Sequence, residues 1–186
     1  TSTTTMALKA TVLKARLTIS DMDRDYYQEH AFSLAQHPSE TPNRIMVRLL
    51  AFMLNASETL TFSKGLSDEG EPELAECDLT GDITLWVAFG QPDEKWLRKA
   101  SAQAKAVKLY TYGGRTVPLW LAQNKAALAR LPELEIWEFS EEDLDALTGW
   151  FERSMTFQCS ITEGVLYLNN DDESLTITPI RIKDRS

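Results

Sequence analysis

An apolar strand followed by a helix and a second strand constrains the fold of this chain more than any other feature. The run Ile83–Phe89 is continuously apolar, which is typical of a central strand buried on both faces. Asp93 can cap a helix that extends to about Lys105, and Val107–Tyr112 follows as a second strand. Because a crossover of this length joins neighbouring strands in parallel, the pattern predicts a parallel pair within a mixed sheet.

Alternating apolar and polar residues predict antiparallel hairpins at both ends of the chain. Ala7–Ile19 and Tyr26–Gln36 alternate with a period of two on either side of an acidic turn, as two half-buried strands would. Lys64–Asp82 is rich in glycine and acidic residues and is predicted to be an irregular excursion. The remaining predicted elements are a helix from Pro42 to about Asn55, a strand at Thr59–Phe62, a helix over Val117–Arg130, a strand at Leu134–Phe139, a helix from Ser140 to Trp150, and strands at Arg153–Ile161, Gly164–Leu168 and Ser174–Ile180. The sequence therefore predicts a mixed α/β (α+β) fold.

The composition favours one compact domain over residues 1–186. A chain of 186 residues that is 43% hydrophobic and 25% charged can bury a sizeable core, and no Pro/Gly/Ser-rich stretch separates two halves. Thr1–Thr5 is predicted to be a leader without a role in the fold. Cys77 and Cys159 are expected to be free thiols, and no apolar stretch is long enough to span a bilayer. We expect a cytoplasmic protein without a membrane partner.

The charge balance restricts the partners of the protein. A net charge of −9 repels phosphate backbones, whereas nucleic-acid binding depends largely on contacts from Lys and Arg. Five cations lie close together in one predicted helix and at its exit, and they form either a solvated helix face or a local basic patch: Lys95, Arg98, Lys99, Lys105 and Lys108. A protein partner and a nucleic-acid partner both stay open, and the charge favours the former.

Four acidic residues are candidates for metal-assisted phosphodiester cleavage, which needs carboxylates around one hard cation such as Mg²⁺. They are Glu40 before the first helix, Glu73 after Pro72, Asp82 before the apolar strand and Asp93 after it. Each acid has a simpler alternative role as a helix cap or a solvated surface residue. For Glu40 in particular, a helix amino end stabilises an anion without any metal.

Several short motifs together resemble the YaeQ family of small bacterial proteins. The likeness extends from Met6 to about Ile180 and rests on Met6–Thr11, His37–Thr41, Phe62–Leu66, Glu71–Glu73, Gly90–Asp93, Tyr110–Tyr112, Met155–Gln158 and Gly164–Tyr167. The resemblance implies a variant of the restriction-endonuclease-like PD-(D/E)XK fold. That fold is an α/β roll with a mixed central sheet flanked by helices, and its core runs helix, three strands, helix, strand.

The resemblance also assigns the motif positions of that fold. Pro72-Glu73 matches the proline–acid element, and Ala88-Phe89-Gly90 occupies the place of the acid-x-lysine element. Members that resemble this chain generally carry Glu where Ala88 stands. The chain thus lacks both the central carboxylate and the lysine of the motif.

Other residues are implied to complete such a site. Glu40 corresponds to the helix-borne acid of the fold group, and Lys95 or Lys99 from the following helix is a candidate for the missing lysine. Gln91 is a candidate for orienting a substrate or a water molecule. Glu40 and Glu73 are the implied ligands of a Mg²⁺ ion, and no other cofactor is implied.

Two functions follow from these residues. One is a binding module that keeps the scaffold and recognises a protein or nucleic-acid partner. The alternative is a Mg²⁺-dependent phosphodiesterase that uses the implied acids, glutamine and lysine. Ala88, Gly90 and the charge of −9 favour the binding module, because the loss of a carboxylate and a lysine weakens metal binding and transition-state stabilisation.

Overall fold

The computed structural model of the protein describes residues 10–62 and 72–185. The leader predicted at Thr1–Thr5, the first residues of the strand predicted at Ala7–Ile19, and residues 64–71 of the excursion predicted at Lys64–Asp82 lie outside them. The described helices are α1 (Pro42–Asn55), α2 (Glu94–Gln103), α3 (Thr116–Ala129) and α4 (Glu141–Thr148). The described strands are β1 (Thr11–Asp21), β2 (Tyr26–Gln36), β3 (Thr61–Phe62), β4 (Leu74–Cys77), β5 (Ile83–Phe89), β6 (Val107–Thr111), β7 (Leu134–Glu138), β8 (Ser154–Thr162), β9 (Val165–Asn169), β10 (Ser174–Ile177) and β11 (Ile180–Lys183).

The chain divides into two compact units, each made of two separate segments. Unit 1 consists of Thr1–Leu54 and Asp143–Ile177, and unit 2 consists of Asn55–Glu142 and Thr178–Ser186. The single domain predicted for the whole chain stays a prediction. None of the described helices is both long and apolar enough to cross a membrane.

Unit 1 contains a five-stranded mixed sheet in the order β10-β9-β8-β1-β2. The predicted hairpins are confirmed, since β1 pairs antiparallel with β2 along its full length and β8, β9 and β10 form an antiparallel meander. The two hairpins are joined by a parallel pairing of β1 with β8. One face of this sheet is buried. Along β1 the buried residues Leu13, Leu17 and Ile19 alternate with more exposed ones, because successive side chains of a strand point to opposite faces. On that face Phe52 of α1 contacts the rings of His30 and Phe32.

Unit 2 contains a six-stranded mixed sheet in the order β11-β7-β6-β5-β4-β3. Strands β5, β6 and β7 are parallel, so the predicted crossover through α2 is confirmed. Strand β4 was missed by the sequence analysis, because Leu74–Cys77 is short and lies in an acidic stretch. The strand predicted at Ser174–Ile180 ends at Ile177, and β11 begins after Pro179 in the other sheet, since proline has no N–H for the ladder. The predicted mixed α/β fold is confirmed, and its strands form two mixed sheets, one in each unit.

The two faces of the unit 2 sheet differ in chemistry. Helices α2 and α3 cover one face with an apolar cluster that includes Trp86, Ala88 and Leu109 from the strands and Leu97 and Trp120 from the helices. Successive residues of a strand point to opposite faces. The opposite face therefore carries the alternate residues of the same strands, several of which are polar.

Candidate functional site

The carboxyl ends of the three parallel strands meet at one edge of the unit 2 sheet, where ligands commonly bind in open α/β sheets. Backbone hydrogen bonds fix this edge: the Gly90 N–H donates to Tyr110 O, and the Phe139 N–H donates to Thr111 O, both at 3.0 Å. The segments that leave the edge are therefore held in defined positions.

Gln91, a predicted site residue, is fixed at this edge. Its side-chain Nε2 donates to Tyr112 O at 3.0 Å and to Thr116 Oγ1 at 2.7 Å. Gly113 has a positive φ of 126°, and a Cβ there would lie only 2.8 Å from Gln91 Nε2. Because both amide hydrogens are engaged within the protein, the Oε1 oxygen is the group that Gln91 can offer to a ligand.

The two motif positions are unsuited to a carboxylate and a lysine. Ala88 is 1% exposed within the apolar cluster under α2 and α3, so a longer side chain there would enter a packed core. Gly90 has a φ of 90°, and no atom lies within 4 Å of the position of an added Cβ. Backbone conformation rather than space therefore disfavours a lysine at Gly90.

The lysines predicted to replace the motif lysine lie on α2. Asp93 caps this helix as expected, since its Oδ1 accepts from the Trp96 N–H at 2.8 Å. The helix buries Leu97 and its neighbours on one side, while Lys95 and Lys99 are exposed. Their predicted role in a site stays a prediction.

The two remaining acids of unit 2 have different surroundings. Glu73 is 7% exposed, and its N–H donates to Val87 O at 3.0 Å, which places it beside β5. Asp82 is exposed in a tight turn in which its N–H donates to Asp78 Oδ1 at 3.0 Å. The Asp78 carboxyl has a lowered pKa because Thr80 and the turn donate hydrogen bonds to it. Asp82 takes part in this turn through its backbone, and a role for its carboxylate in a site stays a prediction.

Glu40 belongs to unit 1 and is buried against arginines of α1. Its Oε2 accepts from Arg48 Nη2 at 2.6 Å and lies 3.6 Å from Arg44 Nε. The cap of α1 comes from the neighbouring Thr41, whose Oγ1 accepts from the Arg44 N–H at 3.2 Å. Two cations beside one carboxylate oppose the binding of a dication. The predicted pairing of Glu40 with Glu73 around a metal ion stays a prediction.

The structure reveals an acid at the strand ends that the sequence analysis missed. Glu138 ends β7 and pairs in register with Thr111 of β6. Burial raises the pKa of the Glu138 carboxyl. Thr111 is fully buried, and no described residue hydrogen-bonds its Oγ1. The sequence did contain a signal for this acid. With a period of two, Glu138 falls on the same face of β7 as the apolar residues Leu134 and Ile136.

A polar network on the opposite face of the same sheet was also missed. Lys108 Nζ donates to Asn55 Oδ1, and Asn55 Nδ2 donates to Tyr110 OH, both at 2.8 Å. Glu135 Oε2 lies 3.7 Å from Lys108 Nζ and accepts from Trp137 Nε1 at 2.7 Å. The sequence signal for this network is that Lys108 and Glu135 stand in the middle of otherwise apolar strands. These side chains satisfy one another, as buried polar groups require.

No group of three or more His, Cys, Asp or Glu residues within 10–62 and 72–185 is arranged to hold a metal ion. The polar residues at the strand ends include Gln91 after β5, Thr111 at the end of β6 and Glu138 at the end of β7. The protein therefore has a mixed α/β fold with polar side chains at the carboxyl ends of its parallel strands.

The chain belongs to the YaeQ family, whose model, described as YaeQ protein, matches residues 6–179. It is 38% identical to YaeQ of Escherichia coli (strain K12) over 172 residues, covering 92% of this chain and 95% of that protein. The crystal structure of YaeQ from Xanthomonas axonopodis pv. citri superposes with a TM-score of 0.88 at 43% identity, covering 92% of this chain and 97% of the other. YaeQ from Pseudomonas syringae gives a TM-score of 0.89 at 30% identity, covering 95% and 98%. The family predicted from the motifs is confirmed.

Proposed function

We propose that this protein keeps a nuclease-related PD-(D/E)XK scaffold and acts by binding a partner rather than by cleaving phosphodiester bonds. The observation that carries the proposal is the state of positions 88 and 90. The alanine at the first belongs to an apolar cluster, and the glycine at the second has a φ of 90°. These are the positions at which the scaffold would carry its central carboxylate and its lysine.

The order of elements supports the scaffold. Helix α1 is followed by β3, β4 and β5, then by α2 and β6. Within unit 2, β4 is antiparallel to β5, and β5 is parallel to β6. This is the succession of helix, three strands, helix and strand that the nuclease-related fold would have.

The surroundings of the remaining acids support a role without hydrolysis. The carboxylate of Glu40 is neutralised by Arg48 and Arg44, and Gln91 uses both amide hydrogens within the protein. Two-metal and one-metal hydrolysis both require carboxylates that are available to the cation. An acid held by two arginines meets that requirement poorly.

The charge of the chain favours a protein partner. At a net charge of −9, the long-range field opposes the approach of a nucleic-acid backbone. Binding to such a backbone would also weaken steeply with salt. A partner protein with a basic surface would instead be attracted.

The hydrolysis half of the proposal is tested with labelled single- and double-stranded DNA and RNA in the presence of Mg²⁺ or Mn²⁺. We expect no cleavage of any of the four substrates. Cleavage that is lost in Glu73→Gln and kept in Glu142→Gln, an exposed control, would establish a phosphodiesterase instead.

The binding half is tested by affinity capture from a lysate of the native host. A partner should be retained by the folded protein and absent when the same protein is immobilised after denaturation. If both columns retain the same proteins at low and moderate salt, a specific binding role is contradicted.

A further inference from the structure

An apolar groove lies in unit 2 between α3 and strands β7 and β11, and it has a volume of about 360 Å³. Leu121 and Leu128 of the helix form one wall, and Ile136 and Ile182 of the strands form the other. This volume falls within the range of small-molecule sites, which are mostly apolar with a few polar groups. The groove is separate from the carboxyl ends of the strands.

Two lysines border the groove, and they differ in availability. Lys183 Nζ donates to Leu131 O at 2.9 Å and to Leu134 O at 2.8 Å, so its ammonium group is held by the backbone. Lys125 is exposed at the rim, and no carboxylate of the described chain forms an ion pair with it. The Lys125 ammonium group is therefore available to an anion at the rim of the groove.

The outer surface of α3 is also atypical of a solvent-facing helix. Lys125 is the only charged residue among its fourteen positions, and Leu119 is 65% exposed. By contrast, α2 carries four charged residues in ten positions. The exposed side of α3 is therefore poor in charge, and the groove along this helix provides room for a slender apolar group.

We infer that the groove binds the hydrocarbon chain of an aliphatic carboxylate, with the Lys125 ammonium group pairing with the carboxylate. The apolar walls offer no hydrogen-bond partners for a sugar or a base. Of the two lysines among the described residues that line the groove, Lys125 is the one available to pair with an anionic head group. The inference goes beyond the proposed partner binding, which does not require this groove.

The test is a titration of the full chain with hexanoate, octanoate and decanoate, followed by calorimetry and by amide chemical shifts. Each methylene buried should lower Kd about 4-fold, as the free energy of transfer of a methylene predicts. Shifts should map to α3, β7 and β11. Decyltrimethylammonium, which has a chain of the same length and the opposite charge, should bind more weakly than decanoate.

Two variants locate the site. Lys125→Gln should weaken decanoate binding about 2- to 5-fold, the effect of losing an exposed ion pair. Lys14→Gln, at an exposed lysine of unit 1, is the matched control and should leave Kd unchanged. Ala129→Phe, which fills the groove from its rim, should abolish binding while the far-UV circular dichroism is retained.

Three results would overturn the inference. They are an affinity independent of chain length, equal binding of decanoate and decyltrimethylammonium, and an unchanged Kd in Lys125→Gln. Sedimentation of the wild type, but not of Lys125→Gln, with phosphatidylglycerol vesicles would assign the surface to a membrane rather than to a single free chain.

Discussion

The ion pair between Glu40 and Arg48 gives the sharpest test of what the buried acid of α1 does. Their side chains are 0% and 3% exposed, and the N–O distance is 2.6 Å. Breaking a buried pair by removing one partner typically costs about 3–5 kcal/mol, because a buried charge loses its compensation. Arg48→Met keeps the apolar length of the side chain and removes its charge. We therefore expect it to lower the free energy of unfolding by about 3–5 kcal/mol.

The expected change is large enough for thermal unfolding. For a chain of this length, each kcal/mol shifts Tm by roughly 2–4 °C, so Arg48→Met should unfold about 6–20 °C earlier. Arg44→Met is the matched control, since Arg44 is 23% exposed and its Nε lies 3.6 Å from the same carboxylate. Its cost should be near 1 kcal/mol, as for a partly exposed pair. Both variants are compared by circular dichroism with and without Mg²⁺.

A metal-binding role for Glu40 would give a different pattern. In that case Mg²⁺ would raise the Tm of the wild type, and Glu40→Gln would remove this increase while costing little stability in metal-free buffer. That pattern, or a cost for Arg48→Met below about 1 kcal/mol, would refute the assignment of Glu40 to a structural ion pair.

Two further predictions concern the strand ends. Burial raises the pKa of Glu138 above its ordinary value of 4.5, so the free energy of unfolding should fall as pH rises through the folded-state pKa. Urea unfolding across this pH range should show that Glu138→Gln removes this fall in the free energy of unfolding, whereas the exposed control Glu142→Gln keeps it. Parallel pH profiles of Glu138→Gln and the wild type would contradict the prediction. Gly90→Ala should cost about 1 kcal/mol because of the positive φ, and Gly90→Asn should cost less, since asparagine tolerates this conformation better. Equal midpoints of urea unfolding for the wild type and Gly90→Ala would show that the backbone at this position is unstrained.

The elements that the sequence predicted well are those with a strong local pattern. Ile83–Phe89 and Tyr26–Gln36 were predicted with the observed boundaries, because one run is continuously apolar and the other alternates regularly. The missed strands β4 and β11 are four residues each, too short for a period to stand out. The division into two sheets depends on long-range pairing such as that of β1 with β8, which no local pattern encodes.

The candidate site was predictable only in part, for the same reason. Gln91 was identified from its motif, but its fixation by Thr116 depends on a contact between residues 25 positions apart. Arg44 and Arg48 follow Glu40 at helical spacing in the sequence, whereas the resemblance implied that Glu40 is a metal ligand. Glu138 was overlooked because a glutamate near the end of an apolar strand is also what a solvent-facing residue looks like.

The parallel pairing of β1 with β8 has a consequence for how the chain folds during synthesis. Thr11–Asp21 leaves the ribosome early, whereas the strand beside it begins only at Ser154. Until then one edge of the amino-terminal hairpin has no neighbour, and unpaired edges invite aggregation. Contacts between residues this far apart slow folding. The nascent chain should therefore depend on chaperone protection until β8 has been translated.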